Sequence, residues 1–129
     1  MNVQEYVKED GSNPYQDWLD SLNSAAAVKV AVVRSRLEIG NTSNVKWFDG
    51  IGEYRIDWGP GYRIYLAQDG QDLIVLFGGG TKKRQQSDIT QALQLHQEYK
   101  DRKQRMRDDS IRIESETTIE IKKQRRKRG

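Results

Sequence analysis

The chain has 129 residues, 35% of them hydrophobic and 32% charged, with a net charge of +3, enough for one domain with a modest core. The absence of cysteine and the single histidine, His96, exclude disulfides, thiolate nucleophiles and cysteine- or multi-histidine metal centres, so no cofactor is expected. No apolar run approaches the roughly 20 residues of a membrane span, and the start MNVQEYVKEDGSNP lacks a signal peptide's apolar stretch, so a cytoplasmic setting without a membrane partner is expected.

Val3 to Lys8 reads as a first strand with imperfect alternation. Asp10-Gly11-Ser12-Asn13 is turn chemistry, and Asn13-Pro14 suits an N-cap and first helical position, where proline has no N–H to lose. Tyr15, Trp18, Leu19 and Leu22 then form one apolar stripe of a short helix, Pro14–Leu22. A second helix, Ala25–Ile39, is capped by Ser24, stopped by Gly40, and places Ala26, Val30, Val33 and Leu37 on one face. Its valines weaken intrinsic propensity, so packing must hold it.

Val45–Phe48 adds a short strand, and Glu53–Trp58 and Tyr62–Ala67 alternate strictly around Gly59-Pro60-Gly61. A three-residue loop pairs Trp58 with Tyr62, Ile56 with Ile64 and Tyr54 with Leu66 on one face. The other face then carries Asp57 opposite Arg63 and Arg55 opposite Tyr65. This is the only nearby register that keeps the hydrophobic residues together, because a one-residue slip inverts a face. Leu73–Phe77 is continuously apolar, hence an interior strand, and Gly78-Gly79-Gly80 is expected to end it. That glycine run matches no P-loop spacing. Ile89, Ala92, Leu93 and His96 mark one face of a closing helix, with His96 in a structural role. Trp47 and Trp58 read as core or core-edge residues. The expected fold class is α+β: a small antiparallel sheet with two N-terminal helices packed on one face and a C-terminal helix, the opposite face partly open.

Charge is unevenly distributed. Residues 1–100 hold 11 Lys+Arg against 13 Asp+Glu, and residues 101–129 hold 11 against 6. Within the body, five of the basic residues fall at Arg55, Arg63 and Lys82-Lys83-Arg84, so a fold that gathers them creates a cationic site on a mildly acidic background. The segment 101–129 is expected to prolong the last helix and then become strand-like or disordered. Ile111, Ile113, Ser115, Thr117, Ile119 and Ile121 alternate with charged residues and Thr118, and a basic run closes the chain at Lys122–Arg128.

The run G-E-Y-R-I-D-W-G-P-G-Y-R-I-Y at Gly52–Tyr65, followed by V-L-F-G-G-G-T-K-K-R-Q-Q-S-D-I-T-Q-A at Val75–Ala92, resembles the HigB-like addiction-module killer proteins, a branch of the RelE/ParE superfamily of type II toxins. The likeness runs from about Val3 to Tyr99, and residues 1–100 are taken as the toxin domain. It implies a RelE/ParE-like fold and a toxin that cleaves messenger RNA on the ribosome without metal, neutralised by a cognate antitoxin in a heterotetramer or higher complex. By the same resemblance, Arg63 and the Lys82, Lys83 and Arg84 cluster are the catalytic residues, stabilising the transition state. Arg55 and Tyr65 would bind substrate, Arg55 by forking onto phosphate and Tyr65 by stacking on a base. Gln85 occupies the family's glutamine position and is expected to orient substrate. Where some relatives carry a C-terminal tyrosine or histidine as base, this chain has Thr90, so Lys82 or Lys83 beside other cations is the expected proton acceptor. The superfamily also contains non-catalytic gyrase inhibitors, and a degenerate antitoxin-binding module is a further alternative, since fold does not choose among them.

Overall fold

The computed structural model describes residues 1–128, with side chains for residues 1–121. Its elements in chain order are β1 (Asn2–Glu5), α1 (Pro14–Asp20), α2 (Ser24–Glu38), β2 (Val45–Phe48), β3 (Ile51–Ile56), β4 (Tyr62–Asp69) and β5 (Leu73–Thr81). A 3-10 turn (Lys82–Arg84) and α3 (Gln85–Arg128) follow. Two compact units divide between His96 and Gln97.

The first unit holds the sheet. Asn13 caps α1 by accepting from the Gln16 N–H at 3.0 Å, with Pro14 in the first turn. Asn23, one residue before the expected Ser24, caps α2 by accepting from the Ala26 N–H at 2.9 Å. Gly40, at φ +85°, closes α2, its N–H donating to Leu37 O while the Asn41 N–H donates to Arg36 O. This is the left-handed ending for which a residue without a Cβ is suited. The buried residues of α2 are Ala26, Val30, Val33 and Leu37, the four of the predicted stripe. Val30, Val33 and Leu37 pack with Tyr15, Tyr54, Ile64, Leu66, Ile74 and Leu76 in the main core.

The expected fold class needs correction. The sheet is mixed rather than antiparallel: its order is β1-β5-β4-β3-β2, and β1 runs parallel to β5. A parallel pair needs a long crossover, and here the whole chain between β1 and β5 supplies it. The opposite face is also less open than expected, because Ile89, Ala92 and Leu93 of α3 pack there against Phe48, Ile51 and Tyr65. The strands precede one 44-residue C-terminal helix, where the expected closing helix gives way to a strand-like or disordered segment within residues 101–129.

The hairpin register differs as well. Ile56 pairs with Tyr62, Arg55 with Arg63, Tyr54 with Ile64 and Glu53 with Tyr65, a shift of two residues from the expected pairing. The shift is even, so each residue keeps its face. The connection is longer than three residues because the Trp58 N–H turns back to Ile56 O and the Gly61 N–H to Trp58 O, withdrawing Asp57 and Trp58 from the strand. Trp58 and Trp47 are 37% and 44% exposed, so neither is a core residue. Trp58 stacks on Tyr62 and lies under the Lys29 ammonium.

Gly78-Gly79-Gly80 does not end β5 but continues it, opposite Tyr65, Ile64 and Arg63, with a bulge at Phe77. A Cβ on Gly79 would sit 2.5 Å from the Trp18 ring, so the strand survives here because bare backbone admits the indole. His96 rests on Phe77, ring centroids 5.6 Å apart, a packing role as expected.

In the second unit the helix runs through the segment expected to be strand-like. No glycine or proline falls between Lys82 and Arg128 to stop it. Gln97–Asp101 and Gln104–Asp108 hydrogen bonds at i,i+4 and the Arg112–Asp109 ion pair support it. The side chains of the basic run Lys122–Arg128 lie outside the described residues.

Gly79→Ala is expected to lower stability by about 1–3 kcal/mol through overpacking against Trp18, read as a lower urea midpoint with an unchanged slope. An unchanged midpoint would show that the indole moves aside at no cost.

Candidate functional site

The polar face of the β3–β4 hairpin places two arginines directly opposite each other, Arg55 on β3 and Arg63 on β4. Like charges in that relation repel. The carboxylate of Glu53, 1% exposed, lies among them and resolves the conflict. Its Oε1 accepts from Arg55 Nε at 2.8 Å, and its Oε2 accepts from the Tyr65 hydroxyl at 3.1 Å and from Gln85 Nε2 at 3.0 Å. Arg63 Nε stands 3.8 Å from the same Oε2. Burial pushes the Glu53 carboxyl up, but the hydrogen bonds from Arg55, Gln85 and Tyr65 outweigh it and hold the group below its ordinary 4.5. Burial and the neighbouring Glu53 charge push the Tyr65 hydroxyl well above its ordinary range, so it stays a donor.

The fold thus gathers Arg55, Arg63, Tyr65 and Gln85 around a residue that sequence reasoning passed over. Glu53 reads as one more charge on a solvated face. The available signal was its place in E-x-R, two residues from Arg55 on the same side of a strand. The gathered residues do not all stand where expected. Tyr65 is 1% exposed, which closes its ring to base stacking. Gln85 points at Glu53 and orients the carboxylate. Arg63 is 6% exposed and its Nε has no hydrogen-bond partner, so it acts as a fixed positive charge beneath the surface. Arg55 is about half exposed, with its Nε engaged by Glu53.

The 3-10 turn brings the second cationic group to the first. The Lys82 N–H donates to Gly61 O at 2.9 Å, and Arg63 Nη1 donates to that same oxygen at 3.4 Å. Gly61 lies in the left-handed region at φ +77°, where its Cβ position would be 3.6 Å from Lys82 Cβ and 3.8 Å from Arg63 Nη1. Lys82, Lys83 and Arg84 are exposed. Thr90 is tied to its own helix, its hydroxyl donating to Gln86 O at 3.0 Å.

Asp88, in the first turn of α3, completes the face. Its Oδ2 is buried without a hydrogen-bond partner and presses on Gly80, the residue opposite Arg63. Burial raises the Asp88 carboxyl above its ordinary 3.8, and Arg84 opposes the shift. The arrangement can neutralise an oxyanion in a partly dehydrated, preorganised setting.

An uncharacterized protein of Haemophilus influenzae is 43% identical over 86 residues, a match covering 65% of this chain and 87% of that protein. The chain belongs to the same family. No protein-family model matches the sequence, and no solved structure matches the chain. The Haemophilus relative brings no activity with it, so the chemistry rests on the residues themselves. No described helix is long and apolar enough to cross a membrane.

The two carboxylates respond oppositely to pH. Glu53, held low, contributes stability above pH 4.5 that is lost as pH falls through its lower folded value. Glu53→Gln, which leaves buried Arg63 without a counter-charge, should cost about 3 kcal/mol at neutral pH, with the gap narrowing in acid. Asp88, held high, costs stability once ionised, so Asp88→Asn should be more stable than wild type at pH 7. That difference should vanish as pH falls below 3.8. Urea unfolding across pH 3–7 measures both; parallel curves for either variant would remove the assigned role.

Proposed function

We propose that the protein is the toxin of a type II toxin–antitoxin pair: a metal-independent endoribonuclease of the cytoplasm that cleaves messenger RNA on the ribosome. A cognate antitoxin would neutralise it in a heterotetramer or higher complex. The observation that carries this reading is the buried Glu53 carboxylate holding Arg55 and Arg63 on one hairpin face, beside Lys82, whose N–H bonds Gly61 O. The resemblance of Gly52–Tyr65 and Val75–Ala92 to the HigB-like branch supports it.

RNA cleavage without metal needs the 2′-hydroxyl set in line with the adjacent phosphorus and the added negative charge stabilised. The terminal nitrogens of Arg55 fork onto a phosphate oxygen. Lys82, Lys83 and Arg84 hold the strand and the leaving side of the phosphate. Arg63 adds a positive charge from below, where the low dielectric strengthens its field. As Lys82 or Lys83 takes the 2′-hydroxyl proton, the 2′-oxygen bonds to phosphorus and the bond from phosphorus to the 5′-oxygen breaks. That oxygen takes a proton from water, leaving a 2′,3′-cyclic phosphate on one fragment and a 5′-hydroxyl on the other.

The decisive experiment is induced expression in a bacterial host with early mapping of RNA 5′ ends. Arg55→Ala and Arg63→Lys are the variants of choice, the first because Arg55 is half exposed and the second because it keeps a buried charge near Glu53. Each should reduce cleavage about 100-fold or more while unfolding cooperatively. New 5′ ends inside translated messages, lost in Arg55→Ala, support the reading. Growth arrest with intact messages overturns it, as does full cleavage by both variants.

A further inference from the structure

A cavity of about 400 Å³ adjoins the cationic face and shares Arg84 and Tyr65 with it. Its volume is in the range of small-molecule sites. Gly78 forms part of its wall, and a Cβ built there meets nothing within 4 Å. At Gly79 and Gly80 the missing Cβ makes room for Trp18 and Asp88; at Gly78 it leaves open space. Trp18, its indole laid on Gly79, contributes an aromatic wall. Lys8 and Arg84 supply positive charge at the lining, and Asp88 and the more exposed Asp17 supply carboxylates.

The state of Asp88 decides what fits. Its Oδ2 is sealed against Gly80 with no hydrogen-bond partner, so an incoming ligand meets the carboxylate through Oδ1. A lone carboxylate oxygen accepts and cannot donate. A planar ligand carrying an amino N–H for that oxygen and a phosphate for Lys8 and Arg84 satisfies both. We propose that the cavity receives a nucleobase of the bound RNA strand, and that Asp88 admits bases with an exocyclic amino group while rejecting uracil. Adenine, guanine and cytosine each present such an amino group on the Watson–Crick edge, the edge by which unstacked RNA bases are read. Uracil presents two carbonyl oxygens flanking one N–H, and a carbonyl facing the carboxylate is repelled. The inference rests on the nuclease reading for its strand, but the binding step is separable from cleavage.

The test titrates the full-length protein with the 5′-monophosphates of adenosine, guanosine, cytidine and uridine, following the Gly78 and Gly79 amides and the Trp18 indole N–H by NMR. The first three nucleotides should shift these signals, and the uridine nucleotide should bind about tenfold more weakly. Asp88→Asn, which is expected to fold at least as well as wild type, should erase that difference, because an amide offers a donor as well as an acceptor. Equal binding of all four nucleotides, unmoved signals, or undiminished discrimination in Asp88→Asn would each overturn the proposal. Discriminating binding by a protein that cleaves no message keeps the pocket and removes the nuclease reading. Message cleavage without any nucleotide response at Gly78, Gly79 and Trp18 does the reverse.

Discussion

The negative charge buried at Glu53 is the constraint around which the polar face is built. Two guanidinium groups directly opposed across a strand pair repel each other, and the Arg63 side chain has almost no contact with water to screen it. A buried lone carboxylate would be costly too. Each unfavourable placement is tolerable because of the other, and three hydrogen bonds to the carboxylate, from Arg55, Tyr65 and Gln85, close the arrangement. Gln85 joins the start of α3 to β3, while Tyr65 joins β4 to β3. The carboxylate therefore ties together the two strands that carry the arginines and the start of the helix that follows the Lys82–Arg84 turn. Their charge is held in position by the fold before any ligand arrives, which is the condition under which fixed charges act most strongly on a reaction.

What the sequence made legible was periodicity, and what it concealed was pairing. The stripe Ala26, Val30, Val33, Leu37 follows from helical spacing alone, and the structure buries those four residues. The hairpin faces follow from alternation, which puts Arg55 and Arg63 on one side, while the observed register differs from the expected one by two. Alternation has a period of two and is blind to an even shift. Only the turn's own hydrogen bonds, Trp58 to Ile56 and Gly61 to Trp58, fix how many residues the loop consumes. Glu53 was passed over for a related reason: its burial comes from Tyr65, Gln85 and Arg55 converging, and two of those lie far along the chain. The segment Ile111–Ile121 shows the opposite failure. Its period of two is real, but it follows a continuous helix with no residue to interrupt it, and the local pattern yields to propagation.

The glycine run in β5 shows how one strand serves packing and site together. A triplet of glycines reads as the end of a strand, yet each sits opposite a β4 residue. Gly79 admits the Trp18 ring from the helical side, and Gly80 admits the Asp88 carboxylate from the cationic side. Successive residues of a strand point to opposite faces, so adjacent glycines open adjacent gaps on the two faces of the sheet. The backbone ladder is kept while side chains from α1 and α3 approach it closely. Phe77, extra in the bulge just before the run, sharpens the local twist where the cavity begins.

Glu53 and Asp88 meet on this face in opposite electrostatic states. Both are carboxylates withdrawn from water, and burial raises the proton affinity of each. At Glu53 the donors win; at Asp88 no donor is present on Oδ2, and desolvation wins. Two like groups whose proton affinities are driven apart by their surroundings are a recurring arrangement where a protein must handle charge rather than merely bear it. A chain selected for stability alone would replace Asp88 with a neutral side chain, since a buried acceptor without a partner is a net cost. A cost that the rest of the domain can carry is tolerated where the group is needed for something other than folding. One carboxylate is thus committed to holding the cations in place. The other keeps its acceptor capacity uncommitted at the wall of a cavity, which is the state a ligand-reading group requires before the ligand binds.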